Sequence, residues 1–264
     1  MTRKTILITG ACGGIGRDTA IALAKRGHHV IATVHREESV EPLRTYAKKN
    51  AVDLEVFKLD ITDPDDRKKI TPLAIDVLIN NAAIGESGSL TEIPMDRVRK
   101  NFETNVFSTL VLTQLVLQKM MEKDSGRIIF ISSLAGRMPM FFWGSYSMTK
   151  YALSDAAAIM RDELQKITRK VTVSVIEPGT YHTGFNQKVV ATKDTWMDQS
   201  SYFNGVIGAI KKQEAFMFKM LERNTTTLIV RKIIKAVESP KPSLRYSAPW
   251  WQAFFVRMAR IFGR

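Results

Sequence analysis

Lys4-Thr5-Ile6-Leu7-Ile8-Thr9-Gly10-Ala11-Cys12-Gly13-Gly14-Ile15-Gly16-Arg17 decides the fold of this chain. A short aliphatic run passes into a glycine-rich turn and then into a helical pattern near 15–26, so a strand meets a helix through a loop. Gly10 permits the tight turn, Gly14 lets backbone approach a pyrophosphate, and Gly16 lets the helix pack closely on the strand. The helix N-terminus then turns unpaired N–H groups and the positive end of its dipole toward phosphate. A dinucleotide site is expected here, with Thr9, Gly10, Cys12, Gly14, Ile15 and Gly16 around it.

Outward from this loop, apolar runs at 4–9, 29–34, 54–58, 75–79, 127–132 and 171–176 alternate with helical patterns near 15–26, 38–50, 63–71, 95–123 and 146–168. Nearly continuous apolar strands separated by helices predict an α/β fold: a doubly wound parallel sheet covered on both faces, three layers αβα. Ligands of such a sheet sit at the carboxyl ends of its strands. One domain is expected over 1–249. After residue 178 the alternation stops, and 180–224 carries Tyr181, Phe185, Trp196, Tyr202, Phe203, Phe216, Met217, Phe218 and Met220. Such an insertion suits a lid over an apolar substrate, or simply packs on the sheet.

Composition narrows the setting. At 264 residues and 45% hydrophobic the chain has ample core material. The single cysteine, Cys12, excludes an intrachain disulfide and a cysteine-based zinc site, and fits a reducing, cytoplasmic compartment. The four histidines show no metal-ligand spacing, so no metal is expected. The chain enters its first strand directly, which predicts no signal peptide, and no apolar run is long enough to span a bilayer. A net charge of +13 is open to nucleic acid, an anionic membrane surface, an acidic protein or a phosphorylated cofactor. No nucleic-acid motif accompanies it, and no nucleic-acid partner is expected.

Chemistry gathers at 133–150. Tyr146 and Lys150 are four residues apart and share one helix face. A phenol titrates near 10, and a neighbouring ammonium favours the phenolate, so the pair suits acid/base work. Ser133, where an apolar run ends, has a hydroxyl that can hold a carbonyl or alcohol oxygen. Alone, Tyr-x-x-x-Lys also fits an exposed helix pair.

Thr9-Gly10-x-x-x-Gly14-Ile15-Gly16, Asn80-Asn81-Ala82, Asn105, Ser133, Tyr146, Lys150 and Pro178-Gly179 stand in one order. This set resembles the short-chain dehydrogenase/reductase superfamily, continuously over roughly 3–180, with a general likeness to its steroid- and retinoid-type branch over 101–166. The resemblance implies a Rossmann fold and Tyr146 as acid/base. It implies Ser133 orienting substrate, Lys150 tuning the tyrosine and holding the nicotinamide ribose, and Asn105 helping to retain a proton-relaying water. It places the cofactor against Asn81, Ala82, Pro178 and Gly179, its adenine against Asp60 with Ile61 beside it, and its carboxamide against Thr183. Asp60 also reads as a turn residue and Thr183 as a helix start. Ala83 departs from the family's usual glycine. A homodimer or homotetramer is implied through helices near 101–122 and 146–168.

The second strand ends in His35-Arg36 with no carboxylate to bind a ribose hydroxyl, so NADP(H) is expected over NAD. Arg17 is a further candidate, and Glu37-Glu38 are competitors for Arg36. In 250–264, Trp251, Phe254, Phe255, Met258, Ile261 and Phe262 share one helical face and Arg257, Arg260 and Arg264 the other, with Val256 the exception. That amphipathic tail suits peripheral contact with a membrane, or docking on its own cleft or on a partner subunit. The activity expected is hydride transfer between NADP(H) and a lipophilic ketone or aldehyde and its alcohol. The alternatives are 3-oxoacyl reduction on an acyl carrier protein and a non-catalytic nucleotide-binding or scaffold protein of the same fold.

Overall fold

The computed structural model describes residues 2–262; Met1, Gly263 and Arg264, the last one of the three tail arginines, lie outside the described residues. The apolar runs become β1 (Thr5–Ile8), β2 (His29–Val34), β3 (Glu55–Lys58), β4 (Val77–Asn80), β5 (Gly126–Ile131) and β6 (Val171–Pro178), joined by β7 (Arg245–Ala248). They form one sheet in the order β3-β2-β1-β4-β5-β6-β7, every neighbouring pair parallel. The order reverses between β1 and β4, so the crevice at their carboxyl ends is the topological switch point where ligands of such sheets bind.

Alternation along the strands divides the core. Ile6 and Ile8 of β1, Val77 and Ile79 of β4, and Ile129 and Ile131 of β5 face one side, under α1 (Gly14–Lys25), α2 (Val40–Lys49) and α9 (Thr227–Glu238). Leu7, Leu78, Ile128 and Phe130 face the other, under α5 (Thr109–Glu122) and α6 (Gly144–Leu164). Both faces are covered, which is why these strands read as unbroken apolar runs.

Three features differ from the sequence reading. The long helix near 95–123 is α4 (Met95–Phe102) and α5 joined by a π-helical turn over Glu103–Ser108. The helix at 63–71 shortens to α3 (Pro64–Lys68), started by Asp63, whose carboxylate accepts from Asp65 N at 2.8 Å. The regular alternation does not end at 178: α9 and β7 add a further unit. Between them and β6 lie α7 (Phe185–Thr192) and α8 (Ile207–Leu221), and α10 (Trp250–Ile261) closes the chain. Among the described residues no helix is long and apolar enough to cross a membrane.

Candidate active site

The glycine loop is held by side chains of the β4 loop. Thr9 Oγ1 accepts from the N–H groups of Asn81 and Ala82, each at 3.0 Å. Asn81 Nδ2 donates to the carbonyls of Thr9 and Gly10, each at 2.9 Å. Gly10 has φ +66°, and a Cβ there would lie 2.7 Å from Ala82 Cα, so no other residue fits. A Cβ on Gly16 would lie 2.8 Å from Gly10 O. Gly14, at φ +53°, faces Thr183, whose Cβ would be 3.0 Å from an added methyl. Sequence placed Thr183 in this site on resemblance alone; the fold brings it against the loop. Ile15 packs into the core while Cys12 is exposed. The first turn of α1 carries no acidic residue and no side-chain cap, leaving its N–H groups and dipole for an anion. A cradle that a side chain would fill, at an uncapped helix N-terminus, fits a dinucleotide.

Farther along the crevice, His35 and Arg36 are exposed after β2. Arg36 Nη1 is 3.8 Å from Glu38 Oε1, a surface pair of little strength. Arg17 is engaged elsewhere, 3.2 Å from Asp18 and stacked 4.1 Å over the Tyr46 ring. Asp60 closes a turn, its Oδ1 accepting from Thr62 N at 2.9 Å and Thr62 Oγ1 at 2.8 Å, and Ile61 is buried in the core.

The second cluster forms where β5 ends against the start of α6. Ser133 caps a 3-10 turn over Leu134–Gly136, its Oγ accepting from Ala135 N at 3.1 Å. That turn is pressed on α6: a Cβ on Gly136 would lie 2.7 Å from the Lys150 carbonyl. Ser132 Oγ donates to Lys150 O at 3.0 Å, and Lys150 Nζ donates to Ile131 O at 2.9 Å. These ties set Ser133, at the end of β5, beside Tyr146 at the start of α6. Burial pushes the Tyr146 phenol well above its usual range, with the Ser133 hydroxyl acting against it. Lys150 Nζ stands 5.5 Å from the Tyr146 ring centroid, and burial pulls its pKa down to about 8. In this closed arrangement burial outweighs the depression of the phenol expected from a neighbouring ammonium.

Asn105 lies in the π-helical turn. Its Oδ1 accepts from Ile84 N at 2.9 Å, and its Nδ2 donates to Ile84 O at 2.8 Å and Thr149 Oγ1 at 3.0 Å. It thereby ties the β4 loop to the helix that carries Tyr146 and Lys150. Pro178 ends β6, and Gly179 donates to Ala248 O at 2.8 Å beside the Gln252 side chain.

The insertion covers this cluster. The Phe185 ring is 5.5 Å from Tyr146, Trp143 is 5.8 Å from it edge-on, and Phe218 is 5.9 Å from Trp143. Val189 is buried against them. Ser87 fastens the cover, its N–H donating to Thr192 Oγ1 at 2.8 Å and its Oγ to Val189 O at 2.7 Å. Trp143 escaped the sequence reading, although its place three residues before Tyr146 puts it on the same helical side. Ile84, Thr149 and Ser87 carried no signal. The rest of the insertion divides: Tyr181 joins the core and Trp196 and Phe203 pack with Met197 and Ile210 on Phe142, while Tyr202, Phe216 and Met220 are exposed.

The tail docks differently from its sequence pattern. α10 is seated by Gln252 and Val256, both buried, while Trp250, Phe254, Phe255, Ile261 and Phe262 face outward. Val256, the exception on the polar face, is the docking residue. Gln252 Oε1 accepts from Thr180 N and its Nε2 donates to Leu221 O, each at 2.8 Å, so an amide satisfies two backbone groups that an aromatic ring would leave unpaired. Among the described residues no group of three or more His, Cys, Asp and Glu is placed to hold a metal.

A phenol, a hydroxyl and an ammonium thus meet under an apolar cover near the glycine loop, an arrangement able to exchange a proton with a carbonyl oxygen. Residues 4–194 match the family profile described as short chain dehydrogenase. The ketoacyl reductase HetN of Nostoc sp. is 31% identical over 253 residues, 92% of this chain and 87% of that protein. Human 17-beta-hydroxysteroid dehydrogenase type 1 is 29% identical over 258 residues, 93% and 77% of the two chains. Among solved structures, a short chain dehydrogenase/reductase of Burkholderia phymatum in complex with NAD superposes with TM-score 0.82 at 17% identity, covering 98% of this chain and 93% of that one. At that identity the likeness speaks for the fold alone.

Proposed function

Because this chain belongs to the short-chain dehydrogenase family, oxidoreductases acting on CH–OH groups, we propose that it transfers a hydride between NADP(H) and a lipophilic ketone or aldehyde and its alcohol. The observation that carries this reading is Tyr146 beside Ser133 and Lys150 under an apolar cover of Trp143, Phe185, Val189 and Phe218. An apolar carbonyl compound suits that cover, and its oxygen would meet the hydroxyls of Tyr146 and Ser133.

In the reductive direction Tyr146 gives its proton to the carbonyl oxygen, and Ser133 holds that oxygen in place. Burial keeps the phenol protonated, which suits an acid. Lys150 offsets the charge left on the tyrosine and holds the ribose, while Asn105 fixes the β4 loop beside them. A nicotinamide cofactor bound along Thr9–Gly16, Asn81, Ala82, Pro178, Gly179 and Thr183 supplies or accepts the hydride. Residues 180–224 act as the lid of a single catalytic unit spanning 1–249.

NADP is favoured over NAD by the end of β2: no carboxylate stands there, and Arg36 is free to leave a weak pair with Glu38 for a 2′-phosphate. The outer sides of α5 and α6 expose Val111, Leu115, Met148, Tyr151 and Ile159, which supports a homodimer or homotetramer built on those helices. The setting is cytoplasmic, with peripheral membrane contact through 250–264.

A second reading, reduction of a 3-oxoacyl thioester on a carrier protein, is favoured by the 31% identity to the Nostoc ketoacyl reductase and by the +13 charge. The test is a fluorescence titration with NADPH and NADH, followed by turnover of a steroid ketone, a long-chain aldehyde and an acetoacetyl thioester. NADPH preference with turnover of the first two supports the leading reading, and turnover of the thioester alone replaces it. Folded protein that binds neither nucleotide leaves only a non-catalytic role.

A further inference from the structure

We propose that α10, together with the carboxyl end of α8, is a docking surface for an anionic lipid bilayer placed at the root of the lid. α10 buries only Gln252 and Val256, one turn apart, and that narrow seam seats it on the protein. The opposite side leaves Trp250 77%, Phe254 56%, Phe255 63% and Phe262 79% exposed. A docked helix of a soluble protein ordinarily buries its aromatic residues and wets its polar ones; here the order is inverted. Phe216 and Met220 of α8, also exposed, lie just before Leu221, whose carbonyl Gln252 binds.

Charge identifies the occupant. From Ser239 to the last described residue there is no Asp or Glu, while Lys241, Arg257 and Arg260 are cationic; Arg245 is engaged by the buried Glu177 at 2.7 Å. Arg257 and Arg260 are exposed and flank the aromatic side. Tryptophan and phenylalanine edged with arginine suit the headgroup boundary of an anionic leaflet, where such a helix sinks about 5–10 Å. A second copy of the same helix brings the same cations and no carboxylate to meet them, so mutual pairing of α10 is disfavoured.

Gln252 gives the surface its purpose. Through Thr180 N and Leu221 O, one side chain holds both ends of the segment that covers Tyr146. A lipophilic substrate would therefore enter from the bilayer at the lid's two roots, a consequence that rests on the activity proposed above; the docking itself does not.

Flotation of the full chain with vesicles of phosphatidylcholine, with or without phosphatidylglycerol, tests this. Truncation after Pro249 would remove Gln252 and disturb the lid, so outward residues are substituted instead. Wild-type protein is expected to float with anionic vesicles only, with a blue shift of tryptophan emission. Phe254→Ser/Phe255→Ser/Phe262→Ser and Arg257→Glu/Arg260→Glu should each reduce bound protein at least tenfold, with circular dichroism and nucleotide binding unchanged. No flotation of the wild type overturns the proposal, as does flotation untouched by both variants. So does a triple variant that only lowers the oligomer mass in light scattering. Tyr146→Phe should float like the wild type; wild-type protein that floats but turns over no carbonyl would leave docking standing while the catalytic reading fails.

Discussion

Lys150 donates to the carbonyl of Ile131 at 2.9 Å, so the ammonium of the helix that carries Tyr146 is anchored to the end of the strand that carries Ser133. Burial lowers this lysine from 10.5 to about 8. Its charge is present below that pH and lost above it, so kcat/KM for carbonyl reduction should fall as pH rises through about 8. Lys150→Met should be slower by about 10²–10⁴-fold and lack that limb. Stability runs the other way. Between about 8 and 10.5 the unfolded chain binds the proton that the folded chain has released, so stability gains with pH there, and Lys150→Met removes the gain. Urea midpoints at pH 7 and 10 measure it.

Tyr146 is the proposed proton donor, with the Ser133 hydroxyl beside it and burial keeping the phenol protonated. Tyr146→Phe keeps the ring packing on Trp143 and Phe185 and removes only the hydroxyl. Turnover should drop by about 10²–10⁴-fold while nucleotide affinity changes less than about threefold. A stopped-flow hydride transfer rate that is unaltered would remove Tyr146 from the chemistry.

What was legible in the sequence follows from how local each signal is. β3, at the edge with Glu55 and Lys58 at its ends, is the weakest of the first six strands; β1, β2, β4, β5 and β6 read clearly because both of their faces are covered and most of their residues are aliphatic. β7 did not: at the sheet edge Arg245 and Ser247 point to less buried ground, and the strand reads as polar. Tyr146 and Lys150 were found because helix spacing alone puts them together. Ile84, the partner of Asn105, is 21 residues away and invisible to spacing. The tail was legible as an amphipathic helix but not in its seating: Gln252 is held by groups 31 and 72 residues away that only the fold brings near.

Gly10→Ala tests the cradle. The new methyl would meet Ala82 Cα at 2.7 Å in a left-handed backbone that costs an alanine about 1–2 kcal/mol. The loop must shift, so nucleotide affinity should fall at least tenfold, with a lower Tm. Isothermal titration and a thermal scan would show both; a variant with wild-type affinity would mean that the loop does not hold the nucleotide.

Lys193 and Glu214 form a buried pair, Nζ to Oε2 at 2.6 Å, that clips α8 to the turn after α7. Glu214 Oε1 has no other partner. Lys193→Met leaves a carboxylate stranded and should destabilise the segment by about 3–5 kcal/mol. Because 180–224 hangs on the sheet rather than forming it, the loss should appear first as faster amide exchange in α7 and α8. Adding Glu214→Leu should restore most of the protection, since two apolar side chains strand no charge.

Arg36→Ala tests the proposed preference for NADP over NAD. Its side chain is two-thirds exposed and its partner Glu38 is 3.8 Å away, a distance at which a surface pair contributes less than about 1 kcal/mol. A 2′-phosphate offers the guanidinium shorter, paired hydrogen bonds, worth more than what it gives up. Arg36→Ala should then weaken NADPH about tenfold, or 1.4 kcal/mol, and leave NADH unchanged. Glu38→Ala should strengthen NADPH slightly by removing the competitor. Equal loss of both nucleotides would mean that Arg36 meets a feature they share, and unchanged NADPH affinity would pass the phosphate grip to His35 or to Arg17, which must first leave Asp18 and the Tyr46 ring.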